Sequence, residues 1–102
     1  MDEILFPYPE KDKLTIYSKS GCPNCIKVKE LLKEKKVLFN VVDCDEYILE
    51  NKEEFLLFIK NIIGKEQKMF PMVFDYKCFI GGYDETNKYI NTLLDFDQFT
   101  SF

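Results

Sequence analysis

The chain has 102 residues and a mass of 12.2 kDa, room for one domain able to bury roughly 60–68% of its unfolded surface without metal or disulfide staples. Apolar residues make up 46% and charged residues 31%, a balance that excludes a disordered chain. The net charge of −4, with every basic residue a lysine, lacks the clustered basic excess of a nucleic-acid binder.

Histidine is absent, which removes Ser-His and Cys-His nucleophile pairs and all histidine metal ligands. The longest apolar runs, such as Phe55–Ile59, are far too short to span a bilayer, and Met1-Asp2-Glu3 opens acidic, unlike an export signal. The expectation is a monomeric cytoplasmic protein. In that reducing compartment, paired cysteines serve catalysis or metal binding rather than scaffolding.

Residues 1–12, with Pro7 and Pro9, read as an extended arm laid against the sheet edge. Leu14 and Ile16 alternate with Thr15 and Tyr17, the pattern of a half-buried strand. Pro23 suits the first turn of a helix over 23–36, in which Ile26, Val28, Leu31 and Leu32 form the apolar face. The run Val37–Val42, broken only by Asn40, predicts a strand covered on both faces. A second helix is expected over about 46–63, stopped by Gly64. Met72–Phe74 and Cys78–Ile80 predict a strand pair, closed by Gly81-Gly82. A last helix begins at Asp84-Glu85-Thr86 and carries Tyr89, Ile90, Leu93 and Leu94 inward. Phe96, Phe99 and Phe102 recur every third residue in the tail (95–102), extending that helix or forming a docking stripe. The resulting class is α/β, in the order β-α-β-α-β-β-α.

The chemistry concentrates at Cys22-Pro23-Asn24-Cys25, where a strand passes into a helix. A thiolate is the species that attacks a disulfide, and free N–H groups at a helix N-terminus stabilise it. Lys19 adds positive charge nearby, and Cys25, one turn on, is placed to displace whatever Cys22 has captured. A zinc site is the competing reading of such spacing. It wants a second cysteine pair, whereas Cys44 and Cys78 stand alone. Both of those are read as packing at strand ends, with regulatory oxidation as the alternative.

Tyr17-x-Lys19-x-x-Cys22-Pro23-x-Cys25 resembles the active-site signature of dithiol glutaredoxins, members of the thioredoxin superfamily. Gln67-Lys68-Met69-Phe70-Pro71 is similar to the segment leading to that family's cis-proline, and Gly81-Gly82-Tyr83-Asp84 to its glycine-glycine-x-aspartate turn. The resemblance covers residues 13–94. It implies a thioredoxin fold with a central four-stranded mixed sheet flanked by helices, and a glutathione-dependent thiol–disulfide oxidoreductase. Cys22 is then the nucleophile and Cys25 the resolving thiol. Lys19 and Gln67 hold the glycyl carboxylate of glutathione, and the backbone of Phe70, before a cis bond to Pro71, pairs with its cysteinyl portion. Gly82, Tyr83 and Asp84 take the γ-glutamyl end. Glutathione is the co-substrate and glutathionylated or disulfide-bearing proteins the partners, with no metal, nucleic acid or membrane expected.

Three departures from the family pattern stand out. Asn24 replaces an aromatic residue between the cysteines, Met69-Phe70 replaces Thr-Val, and Tyr83 is bulkier than the usual Cys or Ser. Two alternatives remain. One is a [2Fe–2S] module held through Cys22, against which Pro23 argues because such members more often carry Ser or Gly there. The other is a dedicated redox partner of a single protein.

Overall fold

The computed structural model describes residues 5–100, with side chains described as far as Leu93. The elements are β1 (Leu14–Ser18), α1 (Pro23–Glu34), β2 (Phe39–Asp43), α2 (Asp45–Glu50), α3 (Lys52–Ile63), β3 (Met72–Asp75), β4 (Cys78–Gly81) and α4 (Tyr83–Thr100). The strands form one mixed sheet in the order β2-β1-β3-β4. β1 is parallel to β2 and antiparallel to β3, and β4 is antiparallel to β3. No helix among the described residues is long and apolar enough to cross a membrane.

Strand alternation sends side chains to two faces, and each face carries its own apolar cluster. Leu14 and Ile16 of β1 and Val73 of β3 pack with Val28 and Leu32 of α1 and Ile90 of α4. Tyr17, Met72 and Phe74 point the other way, into a cluster with Val42, Cys44, and Phe55 and Ile59 of α3. Phe55 is the hub of that second cluster. Its ring lies within 6.3 Å of the ring centroids of Phe6, Tyr17, Tyr47, Phe58 and Phe70.

The structure corrects the sequence expectations for the first two strands. β1, expected half-buried, is buried along its whole length because it lies inside the sheet between helical layers. Its polar side chains are satisfied there. The Thr15 hydroxyl donates to Asn40 Oδ1 at 2.8 Å, and Tyr17 donates to the Pro7 carbonyl at 2.6 Å. β2, expected to be covered on both faces, is an edge strand, and Val41 is 42% exposed.

The single helix expected over 46–63 is two helices, so the order is β-α-β-α-α-β-β-α. Asn51, at φ −140° and ψ 42°, leaves helical geometry between them. Within the described part of the arm, residues 5–12 form no strand of the sheet, and Phe6 packs among Tyr47, Phe55 and Phe58. Cys78 is exposed, so its expected packing at a strand end does not occur. The helical backbone of α4 continues to Thr100, whereas the Phe96 and Phe99 side chains and Phe102 lie outside the described residues.

Truncating the hub should be costly: Phe55→Ala is expected to lose about 3–5 kcal/mol of stability, read from denaturant unfolding. Cys44, fully buried, gives a pH-dependent expectation. Burial pushes its thiol up from 9.0 to about 12, opposed by a backbone hydrogen bond from Ser18 and reinforced by Asp43 and Asp45. The unfolded chain therefore loses this proton first. The stability held by the neutral thiol is complete below pH 9 and drains away as pH rises towards 12. Cys44→Val should flatten the alkaline loss of stability over that window by about 1.4 kcal/mol per pH unit, measured by guanidinium unfolding across the range.

Candidate active site

β1 delivers the chain to a loop, 19–22, that must turn sharply into α1. Gly21 makes the turn at φ +69°, a region side-chain-bearing residues rarely occupy. Cys22 then stands at the N-cap with extended backbone (φ −112°, ψ 102°), and Pro23 follows inside the first turn. An N-cap side chain normally offers oxygen to the helix's unpaired N–H groups. Here sulfur takes that part: Cys22 Sγ accepts from the Cys25 backbone N–H at 3.2 Å. This contact fixes the direction of the Cys22 sulfur at the amide end of α1.

The two thiols are unbridged and differ in setting. Cys22 is 8% exposed, and Cys25 is 1% exposed. Burial raises the Cys25 thiol above its ordinary value, and its hydrogen bond with Cys22 adds to the shift. Both line a cavity of about 350 Å³, together with Lys19, Ile26, Lys29 and Val41.

A residue that the sequence does not reveal fixes the loop. The Asp45 carboxylate accepts from both the backbone N–H (2.8 Å) and the hydroxyl of Ser20. These bonds, the hydroxyl's foremost, hold its carboxyl below the usual range, with Lys19 contributing. The two residues lie 25 positions apart, so no local pattern connects them. Only the parallel β1–β2 pairing, which aligns Ser18 with Asp43, brings the two strand ends together. The Cys44 N–H extends that pairing by one bond to the Ser18 carbonyl, at 2.8 Å.

A second cavity, of about 550 Å³, lies alongside. Gln67, Phe70, Pro71, Gly82, Tyr83 and Asp84 all line it, as does Asn24 from between the cysteines. The Phe70–Pro71 peptide bond is cis. Gln67 spends one amide donor bracing its own loop, on the Met69 carbonyl at 3.0 Å. Lys19 and Cys22 do not line this groove; they face the smaller cavity. Lys19 nonetheless reaches its border, with Nζ 5.6 Å from the Phe70 ring centroid.

The start of α4 holds a residue to which the sequence assigns no role beyond opening the helix. Glu85 Oε1 accepts from the Gly82 N–H at 2.9 Å, while the Gly82 carbonyl accepts from the Thr86 N–H at 3.0 Å. A Glu three positions into a helix after such a turn is the signal that marks it. Gly81 adopts φ +134°, and an added Cβ there meets Glu85 Cβ at 2.7 Å, so only glycine fits beneath that carboxylate.

Comparison with known proteins places this geometry. A family model described as Glutaredoxin matches residues 14–78. Glutaredoxin 1 of Rickettsia felis is 38% identical over 71 residues, covering 70% of this chain and 65% of that protein; the chain thus spans about two thirds of the length of the curated relatives it matches. The crystal structure of Glutaredoxin 1 from Francisella tularensis, complexed with cacodylate, superposes with a TM-score of 0.68. It shares 24% identity and covers 81% of this chain and 96% of its own. The buckwheat glutaredoxin–glutathione complex superposes at 0.62, with 23% identity and coverage of 78% and 70%. At those identities the two structures establish the thioredoxin fold. The family model, spanning β1 to the start of β4 with both cysteines inside it, establishes more: the chain belongs to the glutaredoxin family of the thioredoxin superfamily.

Proposed function

We propose that the chain is a glutathione-dependent thiol–disulfide oxidoreductase that reduces glutathione mixed disulfides and protein disulfides, acting as a monomer in the reducing cytosol. The observation that carries this reading is the Cys22 sulfur capping α1 at 3.2 Å from the Cys25 N–H, with a groove of matching residue chemistry beside it. Glutathione has an anionic glycyl end and a zwitterionic γ-glutamyl end. Lys19 and Gln67 on one side, and Asp84 with the first N–H groups of α4 on the other, answer those charges and orient the tripeptide. The backbone of Phe70 pairs with the cysteinyl portion in the manner of an added strand.

In the first half-cycle the Cys22 thiolate attacks the glutathionyl sulfur of a mixed disulfide. The old S–S bond breaks, the protein leaves as a thiolate that takes up a proton, and a Cys22–glutathione disulfide forms. A second glutathione, as thiolate, attacks the bound glutathionyl sulfur. It departs as glutathione disulfide and returns Cys22 to the thiolate. With a protein disulfide as substrate, the Cys22 thiolate attacks one of its sulfurs, forming a Cys22–protein disulfide and freeing the other protein sulfur as a thiolate that takes up a proton. Cys25, giving up its proton, then attacks Cys22 Sγ, yielding the Cys22–Cys25 disulfide and the reduced protein. Two glutathiones, oxidised to glutathione disulfide, restore both thiols. The raised affinity of Cys25 for its proton suits this order, because a second free thiolate beside Cys22 would repel the first and compete for the substrate.

A coupled assay with glutathione, glutathione reductase and a mixed-disulfide substrate tests the assignment. Cys22→Ser should reduce turnover to background on every substrate. Cys25→Ser should retain activity on glutathione mixed disulfides and lose it on protein disulfides. Equal loss from both variants on the mixed disulfide would contradict the division of roles between the two cysteines.

A further inference from the structure

The two cavities of the site meet at Lys19 and Phe70. The ammonium belongs to the smaller cavity, yet holding a carboxylate in the larger groove requires it to reach across the border. A lysine on an exposed loop surrenders rotamer freedom when its ammonium is fixed, so its position needs a partner. The ring of Phe70 supplies one: Nζ lies 5.6 Å from its centroid, within the range of a cation–π contact. An aromatic face positions an ammonium without neutralising it, as a carboxylate partner would.

The ring is itself held. It lies nearly parallel to the fully buried Phe55 ring (9°), with centroids 6.3 Å apart. The core of the second cluster thus passes through Phe55 and Phe70 to a single surface cation.

We propose that the Phe70 side chain is a positioning and specificity-determining group. Its ring holds the Lys19 ammonium at the groove border and so selects disulfides whose cysteinyl unit is followed by a free glycyl carboxylate. The inference rests on the glutathione reading above, in which Phe70 contributes only its backbone; the addition concerns its ring.

The test compares two substrates, the mixed disulfides of 2-mercaptoethanol with glutathione and with γ-glutamylcysteine, which lacks the glycine. On the glutathione substrate Phe70→Leu should raise KM about three- to fivefold and Lys19→Met about tenfold, with kcat within about twofold of native. Phe70→Tyr, which keeps the ring, should behave as native, and the Phe70→Leu/Lys19→Met double variant should be no worse than Lys19→Met alone. On the truncated substrate Phe70→Leu and Lys19→Met should raise KM less than they do on the glutathione substrate. In the native chain the Lys19 side-chain methylene protons should show upfield ring-current shifts in NMR spectra. That readout needs neither turnover nor a folded variant.

Unshifted Lys19 protons, additive losses in the double variant, or an equal rise in KM on both substrates would overturn the inference. A native chain with equal KM for the two substrates would overturn it as well, leaving the oxidoreductase assignment intact. A native chain that turns over neither disulfide would overturn the glutathione reading itself.

Discussion

A sulfur atom in the place of a helix cap is the contact on which the rest of the site depends. The first turn of a helix leaves backbone N–H groups without partners, and most helices meet them with the oxygen of Ser, Thr, Asp or Asn. In α1 the Cys22 sulfur accepts from the Cys25 N–H instead. The same bond satisfies the helix and fixes the sulfur's direction. Everything upstream serves to bring Cys22 there: β1 inside the sheet, the left-handed Gly21, and Ser20 held twice by Asp45. Everything downstream inherits it, because the residue that donates the bond also carries the second thiol of the pair.

The consequence is a division between two cysteines only three positions apart. Cys22 borders a cavity and faces the donating end of the helix. Cys25, one turn on, is buried against the sheet, and that burial opposes loss of its proton. The pair is thereby unequal: one sulfur borders a cavity and the other is enclosed. Spacing alone does not create that inequality. It requires the helix to begin between the two residues, so that one is a cap and the other a core position.

The local part of this arrangement is legible in the sequence, and the long-range part is not. Cys22, Pro23 and Cys25 announce themselves because a cap, a first-turn proline and a core position follow one another within four residues. Gln67 to Pro71 and Gly81 to Asp84 are likewise short segments whose chemistry is contained in their own order. The patterns of β1 and β2 suggest the reverse of their true burial because burial is a property of neighbours. Thr15 and Tyr17 look solvated, but their hydroxyls find Asn40 and Pro7 and their apolar bodies are enclosed. Val37 to Val42 looks enclosed, but it leads into an edge strand. The break at Asn51 is hidden because no glycine or proline marks it and the polar run from Glu50 to Glu54 reads as the early part of one helix, whereas the Asn51 backbone and the packing of Tyr47 against Phe55 show that the chain has turned. Asp45 and Ser20 meet through strand pairing, which a local reading of the chain does not contain.

The aromatic composition finally explains how the arm bears on the site. With ten phenylalanines and no tryptophan or alanine, this chain fills its second core cluster largely with rings. Phe6, from a segment that precedes the matched family region, meets Phe55 edge-on at 5.4 Å, and Phe55 lies parallel to Phe70 in the groove wall. Rings in contact are stiff, close-packed bodies, so displacing one end of such a row leaves a void that its neighbours fill only in part. The arm is therefore continuous in packing with the groove, although it contributes no chemical group to it. The sheet and α1 place the Cys22 sulfur; the row of rings running from Phe6 through α3 supports the wall of the groove beside it.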